Sequence, residues 1–431
     1  MNLMLRTVFL PCACAVLLSA ALAATEPVPT QVGGTFVRPP GAAPLFGMNI
    51  GGNKNYDDPV YQTALARLDI VVLGFYPGWR FDTGTTKMRQ AVMSLRARNP
   101  ALKVGQYTNG VNDAIADPAK TTNDDMIVKL DAMNWWLRDA VTGERKGWST
   151  LYGAYDINFT TWSPADANGD RWPQWLAKRN FARYFGPVPE FDLWYVDALM
   201  KHSRVGQANW RWDGVNVSSQ DPEVASTYRQ GVIAHLATAS SLAPGRLLMG
   251  NADNDLAYPE YKGQLPAAFL EAMMGKSWSI ENRGWITMMQ RYFDVASNLK
   301  APGLVAFNAW GAVNDYRFFR YAFASCRLGN GHFAYTDSAV GYGSVPWFDE
   351  YEVAFGAAID APSLTPWQNG VHRRRFEKAM VLVNPNADPR TVNVGKGWRR
   401  LLASQDPVAN DGTPARRLTL GPKEGIVLVM Q

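Results

Sequence analysis

The chain has 431 residues, 43 Lys and Arg against 38 Asp and Glu for a net charge of +5, and 47% hydrophobic residues. That balance suits a globular protein rather than a disordered one, and so small a positive excess offers no electrostatic footprint for nucleic acid. The four histidines, His202, His235, His332 and His372, share no H-x-x-x-H or H-E-x-x-H spacing, which argues against a zinc hydrolase.

Residues 1–23 read as a secretory signal. Met1–Arg6 carries one positive charge, Thr7–Leu22 is almost wholly apolar, and Ala21-Leu22-Ala23 is a small-x-small cleavage site. The apolar core is too short for a comfortable membrane span, and no other stretch approaches one. Export to the periplasm or beyond, from a bacterial cell, is the expectation. Cys12 and Cys14 fall inside the signal, leaving Cys326 as the one cysteine of the mature chain. It lies in an apolar helical stretch and reads as packing. Residues 24–44, rich in Pro, Gly and Thr, read as a flexible lead-in.

From Leu45 onward short apolar runs alternate with longer amphipathic ones. Strands are predicted at Leu45–Ile50, Leu68–Tyr76, Leu102–Tyr107, Phe191–Val196, Arg246–Gly250, Ala267–Leu270, Leu304–Phe307 and Gly331–Tyr335. Helices are predicted at Lys87–Arg98, Asp124–Arg138, Trp172–Tyr184, Asp221–Ala243, Trp285–Leu299 and Asp315–Leu328, with Asp221 as a cap. The segment 147–168 reads as a loop. Eight strands with intervening helices predict an α/β protein, a (β/α)8 TIM barrel over residues 45–365. A doubly wound dinucleotide fold is disfavoured, because Gly51-Gly52-Asn53-Lys54 lacks the G-x-G-x-x-G spacing. Residues 366–431 carry short strands between Asn, Pro, Gly and Asp turns and predict a small C-terminal all-β domain. The run His372-Arg373-Arg374-Arg375 at its start reads as a solvated or acid-paired face.

Chemistry in such a barrel collects at the carboxyl ends of the strands. The polar residues there are Asn49, Tyr76, Tyr107 with Asn109, Asp197, Asn251 with Asp253, Glu271, Asn308 with Trp310, and Tyr335 with Asp337. Aromatics that stack on sugar faces, amides that bridge hydroxyls and acids that move protons are what a glycosidase needs. Phosphate chemistry would want cations, and the strand ends carry almost none. No G-x-S-x-G elbow points to a serine hydrolase. Asp197, ending the fourth strand, is the candidate nucleophile or general base, against a plainer role as loop anchor. Glu271, flanked by apolar residues at the sixth strand, is the candidate proton donor, with Asp253 as its competitor. Asn49, Tyr76, Tyr107, Asn251, Asp253, Asn308 and Trp310 are candidate sugar ligands. So are Tyr155 and Asp156, which read equally well as part of a structural aromatic cluster.

The runs Phe191–Asp197, Ala267–Glu271 and Leu304–Asn308 resemble hypothetical glycosyl hydrolase family fifteen. So do Trp347–Tyr351 with Gly356 after it, and Val381–Pro385. The resemblance covers most of the mature chain. It implies a TIM-barrel glycosidase distantly similar to α-galactosidase-type enzymes, which carry a nucleophilic aspartate after strand four and an acid after strand six. Asp197 and Glu271 fall on those positions, although such relatives commonly have aspartate where this chain has Glu271. The expectation is an exported glycoside hydrolase acting on a poly- or oligosaccharide, with no metal or cofactor required. The rival reading is a non-catalytic carbohydrate-binding or exopolysaccharide-assembly protein on the same barrel.

Overall fold

The apolar runs become parallel strands because both faces of each are covered, so no polar alternation is needed. The structure, a computed structural model, describes residues 38–50, 56–74, 82–108, 113–115, 124–148, 154–252 and 255–431. Its eight principal strands are β1 (Phe46–Asn49), β2 (Ile70–Leu73), β3 (Lys103–Thr108), β4 (Leu193–Val196), β5 (Leu247–Asn251), β6 (Ala267–Met274), β7 (Leu304–Gly311) and β8 (His332–Asp337). They pair in chain order, and every pairing is parallel. A bridge between Leu45 and Phe333, with Phe333 N donating to Pro44 O at 2.9 Å, brings the last strand back to the first. The predicted (β/α)8 barrel is the fold that forms.

Strand periodicity divides the core in two. Phe46, Met48, Ile70, Val72, Leu193 and Tyr195 fill the barrel interior together with Met249, Phe269 and Ala306. Their neighbours Leu45, Val71, Val104, Trp194, Val196 and Phe307 belong to the larger core beneath the helices. Those helices are α1 (Pro59–Ala66), α2 (Asp82–Arg98), α3 (Asp124–Met133), α4 (Trp172–Asn180), α5 (Pro222–Leu242), α6 (Trp285–Asn298) and α7 (Tyr316–Arg327). Asp221 caps α5 by accepting from Glu223 N at 3.0 Å and Val224 N at 3.2 Å. The short helix α1 was not predicted, although Asp58 accepting from Val60 N at 2.8 Å and Pro59 at the first position mark its start. Between β5 and β6 the described residues make two short 3₁₀ turns. Within the expected loop 147–168, Ala154–Asp156 pairs with Asp113–Ile115 as a small antiparallel ribbon.

The C-terminal strands are β9 (His372–Arg375), β10 (Ala379–Asn384), β11 (Arg390–Asn393), β12 (Trp398–Arg400), β13 (Arg417–Leu420) and β14 (Glu424–Met430). One sheet runs β9-β10-β14-β12, and β11 pairs with β13. Met380, Leu382, Val392, Leu418 and Leu428 close the space between these sheets. The other face, with Val381, Val383 and Val427, joins the main core against α7. Residues Phe319 to Arg327 of α7 are therefore all buried. Gly425 permits the close approach, since a Cβ there would meet Arg320 O at 2.4 Å. The run from His372 to Arg375 is an element of this sheet rather than a solvated face. Arg374 is buried and donates to the carbonyls of Arg327 and Gly329 at the end of α7, while Arg375 pairs with Asp360 at 2.8 Å. Cys326 packs inside α7 as expected, and burial pushes its thiol up to about 12.

Candidate active site

Three neighbouring strands deliver three side chains to one point at the carboxyl end of the barrel. Asp197 follows β4, Asn251 ends β5 and Glu271 lies within β6. Asn251 Nδ2 donates to Asp197 Oδ1 at 2.9 Å and to Glu271 Oε2 at 2.9 Å. One amide nitrogen thus spends both hydrogens holding the two acids side by side. Tyr107, from β3, donates its hydroxyl to Asp197 Oδ2 at 2.7 Å, and Ala198 N donates to Oδ1 at 2.9 Å. Asp197 is therefore fixed by donors on both oxygens.

The backbone bends to aim both acids. Each is followed by an alanine in the left-handed region, Ala198 at φ 61° and Ala272 at φ 44°. A residue with a Cβ costs about 1–2 kcal/mol there, so the surrounding structure must hold the bend in place. At Glu271 the hold is visible. Asn308 Oδ1 accepts from Ala272 N at 3.0 Å, while Asn308 Nδ2 donates to Thr336 Oγ1 at 2.9 Å. The register between β6 and β7 also shifts here, the three residues between Leu270 and Met274 facing the single Asn308 between Phe307 and Ala309. Such a bulge re-aims a side chain that regular alternation would direct elsewhere.

Glu271 is largely buried. Burial, then the neighbouring Asp197 charge, raise its pKa above the ordinary glutamate value; hydrogen bonds from Tyr342 and Asn251, and the charge of Arg204, oppose the rise. The Tyr342 hydroxyl donates to Glu271 Oε1 at 2.5 Å. Tyr342 also meets Trp310 edge-on, ring centroids 4.8 Å apart. Sequence reading missed Tyr342. It lies in Gly341-Tyr342-Gly343, after the last strand, where nothing local marks it.

The predicted residues separate into groups. Asp197, Glu271, Asn251 and Tyr107 form one hydrogen-bonded cluster, which Trp310 joins through Tyr342. Asn308 is fully buried, with both ends of its amide engaged inside the barrel. Asn49 is buried too, its Oδ1 accepting from Tyr61 at 2.7 Å. Tyr155 and Asp156 stand in the antiparallel ribbon: Tyr155 packs edge-on against Trp136, and Asp156 Oδ2 accepts from Trp148 N at 2.8 Å. Tyr76, Asn109 and Asp253 lie outside the described residues. Among the described residues no three His, Cys, Asp or Glu side chains gather as a metal site, and no helix is long and apolar enough to cross a membrane.

Residues 96–380, which include every member of this cluster, match the family model described as hypothetical glycosyl hydrolase family 15, and the chain belongs to that family. No curated protein matches it in sequence. Among solved structures, the α-galactosidase from Lactobacillus brevis is similar with a TM-score of 0.51 at 13% identity, over 90% of this chain and 55% of that one. The trehalulose synthase MutB from Pseudomonas mesoacidophila MX-45 gives 0.51 at 11% identity, over 90% and 99%. Eubacterium rectale Amy13B gives 0.50 at 9% identity, over 91% and 96%. At such identities the likeness is one of fold, and it is to the barrel of carbohydrate-active enzymes.

Proposed function

We propose that the protein is an exported glycoside hydrolase of poly- or oligosaccharides, with Asp197 as nucleophile and Glu271 as proton donor. The observation that carries this reading is the Asn251 amide shared between the two acids. Two oxygens that are each 2.9 Å from one nitrogen lie less than about 6 Å apart, nearer the ~5–5.5 Å of retaining enzymes than the ~6.5–9.5 Å of inverting ones. Retention is accordingly the outcome the geometry favours. Asp197 attacks the anomeric carbon while the Glu271 proton passes to the departing glycosidic oxygen, leaving a glycosyl ester on Asp197. Glu271, now a carboxylate, takes a proton from water as that water attacks the same carbon and frees Asp197. The raised pKa suits the first step, since it keeps the carboxyl protonated to higher pH. Trp310, Tyr107 and Tyr342 supply aromatic surface for the sugar, and Asn308 serves as a positioning residue beneath Glu271.

The test is reducing-end release from a panel of bacterial exopolysaccharides and plant glycans, with Asp197→Asn run beside the wild type. The variant is expected to lose at least ~10³-fold in activity while keeping a cooperative melt. Equal release by both proteins removes Asp197 from the chemistry. Sugar binding without turnover in either favours the carbohydrate-binding alternative. Export is checked by N-terminal sequencing of protein recovered outside the cytoplasm, with Ala24 as the expected first residue.

A further inference from the structure

The strand ends carry almost no cations, yet the loops beyond them bring two. Arg204, in the loop after β4, stands over the Trp148 ring at 4.7 Å from its centroid. Lys276, in the loop after β6, stands over the Trp310 ring at 3.8 Å. Both belong to the neighbourhood of the acid pair. Trp310 packs on Tyr342, whose hydroxyl bonds Glu271. The Lys276 loop is pinned there as well: its N donates to Ser279 Oγ at 2.9 Å, and Ser279 Oγ donates to Ala272 O at 2.6 Å. On the other side, the loop bearing Arg204 is tied to the Asn251 carbonyl by Leu199 N at 2.8 Å.

Two neighbouring cations, Lys201 beside Arg204 and Arg229 of α5, are neutralised. Lys201 pairs with Asp255 at 3.1 Å and Arg229 with Glu260 at 2.7 Å. Neither Arg204 nor Lys276 has an ion-pair partner among the described residues. Asp337, at the end of β8, accepts from Ala339 N at 2.9 Å in its own turn. Had these cations served only to offset Asp197 and Glu271, direct pairs with those carboxylates would be the cheaper arrangement. Instead each is held off the acids on an aromatic face. The Arg204 guanidinium, whose one recorded hydrogen bond is a long contact to Met200 Sδ at 3.9 Å, keeps most of its N–H fork for a carboxylate. Trp148, in the segment before β4, and Trp278, beside Lys276, are 38% and 54% exposed and offer stacking surface for sugar rings.

We infer that the substrate is an acidic glycan whose uronate carboxylates are received by Arg204 and Lys276. This rests on the reading of the cleft as a sugar site, so the test measures binding without turnover. Full-chain protein carrying Glu271→Gln is titrated calorimetrically with uronate oligosaccharides and with the same oligosaccharides carboxyl-reduced to neutral sugars. The uronates are expected to bind at least about tenfold more tightly, the value of one charged contact. Arg204→Gln and Lys276→Gln, made on the same background, should each abolish most of that preference and leave the affinity for the reduced sugars unchanged. Added NaCl should weaken only the uronates. Equal affinity for charged and reduced sugars overturns the inference, as does failure to bind either, or an equal loss for both in the variants. Uronate binding by a protein that proves to hydrolyse nothing leaves the inference standing and removes only the catalytic reading.

Discussion

At Glu271 opposing influences meet on one carboxyl group, and their balance sets the pH behaviour. Burial and Asp197 raise its pKa, while donors from Tyr342 and Asn251 favour the ionised form and hold the rise back. On the proposed mechanism, activity falls as pH climbs through that raised pKa. Tyr342→Phe removes one of the restraining hydrogen bonds, so the alkaline limb of the pH–rate profile should move upward, by about one pH unit for ~1.4 kcal/mol of lost stabilisation. Glu271→Gln should lower turnover by ~10²–10⁴-fold and erase that limb. The same shift has a stability consequence. A folded-state pKa above the unfolded value adds no cost while both states are protonated, and destabilises the fold as pH rises past the unfolded pKa and the unfolded chain ionises first. Thermal melts of Glu271→Gln and wild type should therefore coincide near about pH 4 and diverge toward neutrality, with the variant the more stable. A variant that melts below wild type at neutral pH would contradict this account.

At the scale of elements, the sixth strand is where regular structure yields to the site. Its bulge, the left-handed Ala272 and the Asn308 amide act together to turn Glu271 toward Asp197. Asn308→Ala would leave Ala272 N–H and the Thr336 hydroxyl without their partner, at about 1–3 kcal/mol for a buried group left unpaired. The expected result is a lower melting temperature and a fall in kcat larger than any change in KM, because the acid is misplaced rather than the sugar unbound. Gly275, at φ 94°, closes the same segment; a Cβ there would approach Trp310 O to 1.7 Å. Gly275→Ala should accordingly disturb Trp310 and Tyr342 and cost far more stability than a surface substitution, as seen by urea denaturation. Little of this was legible beforehand. Ala267–Leu270 reads as a strand, but a bulge has no signature in an apolar run, and Asn308 reads as a sugar ligand because strand-end position alone does not reveal what an amide bonds.

Across the whole molecule, α7 is the joint between the barrel and the C-terminal sheets. It is covered by β14 and its neighbours on one side and by the barrel on the other, and Arg320 pairs with Asp406 at 2.8 Å. Barrel and sheets share one compact unit that runs to Gln431. A chain ending at residue 365 would expose the sheet-facing side of α7 around Arg320, Tyr321 and Ala324 to water, and it should bind a hydrophobic dye and melt without cooperativity. A sharp melt from that fragment would show that the barrel stands without its cap.

The sequence by itself determined the eight strands, most of the helices and the two acids. Strands buried on both faces must be apolar throughout, and an acid that ends such a run is conspicuous. What only the tertiary structure decided is how the acids are joined and what surrounds them. Asn251 between the carboxylates, Tyr342 reaching Glu271 from 71 residues away, and the cations on Trp148 and Trp310 are contacts between different strand ends and loops. Closing the barrel brings those loops to one mouth, and no local pattern along the chain encodes that meeting.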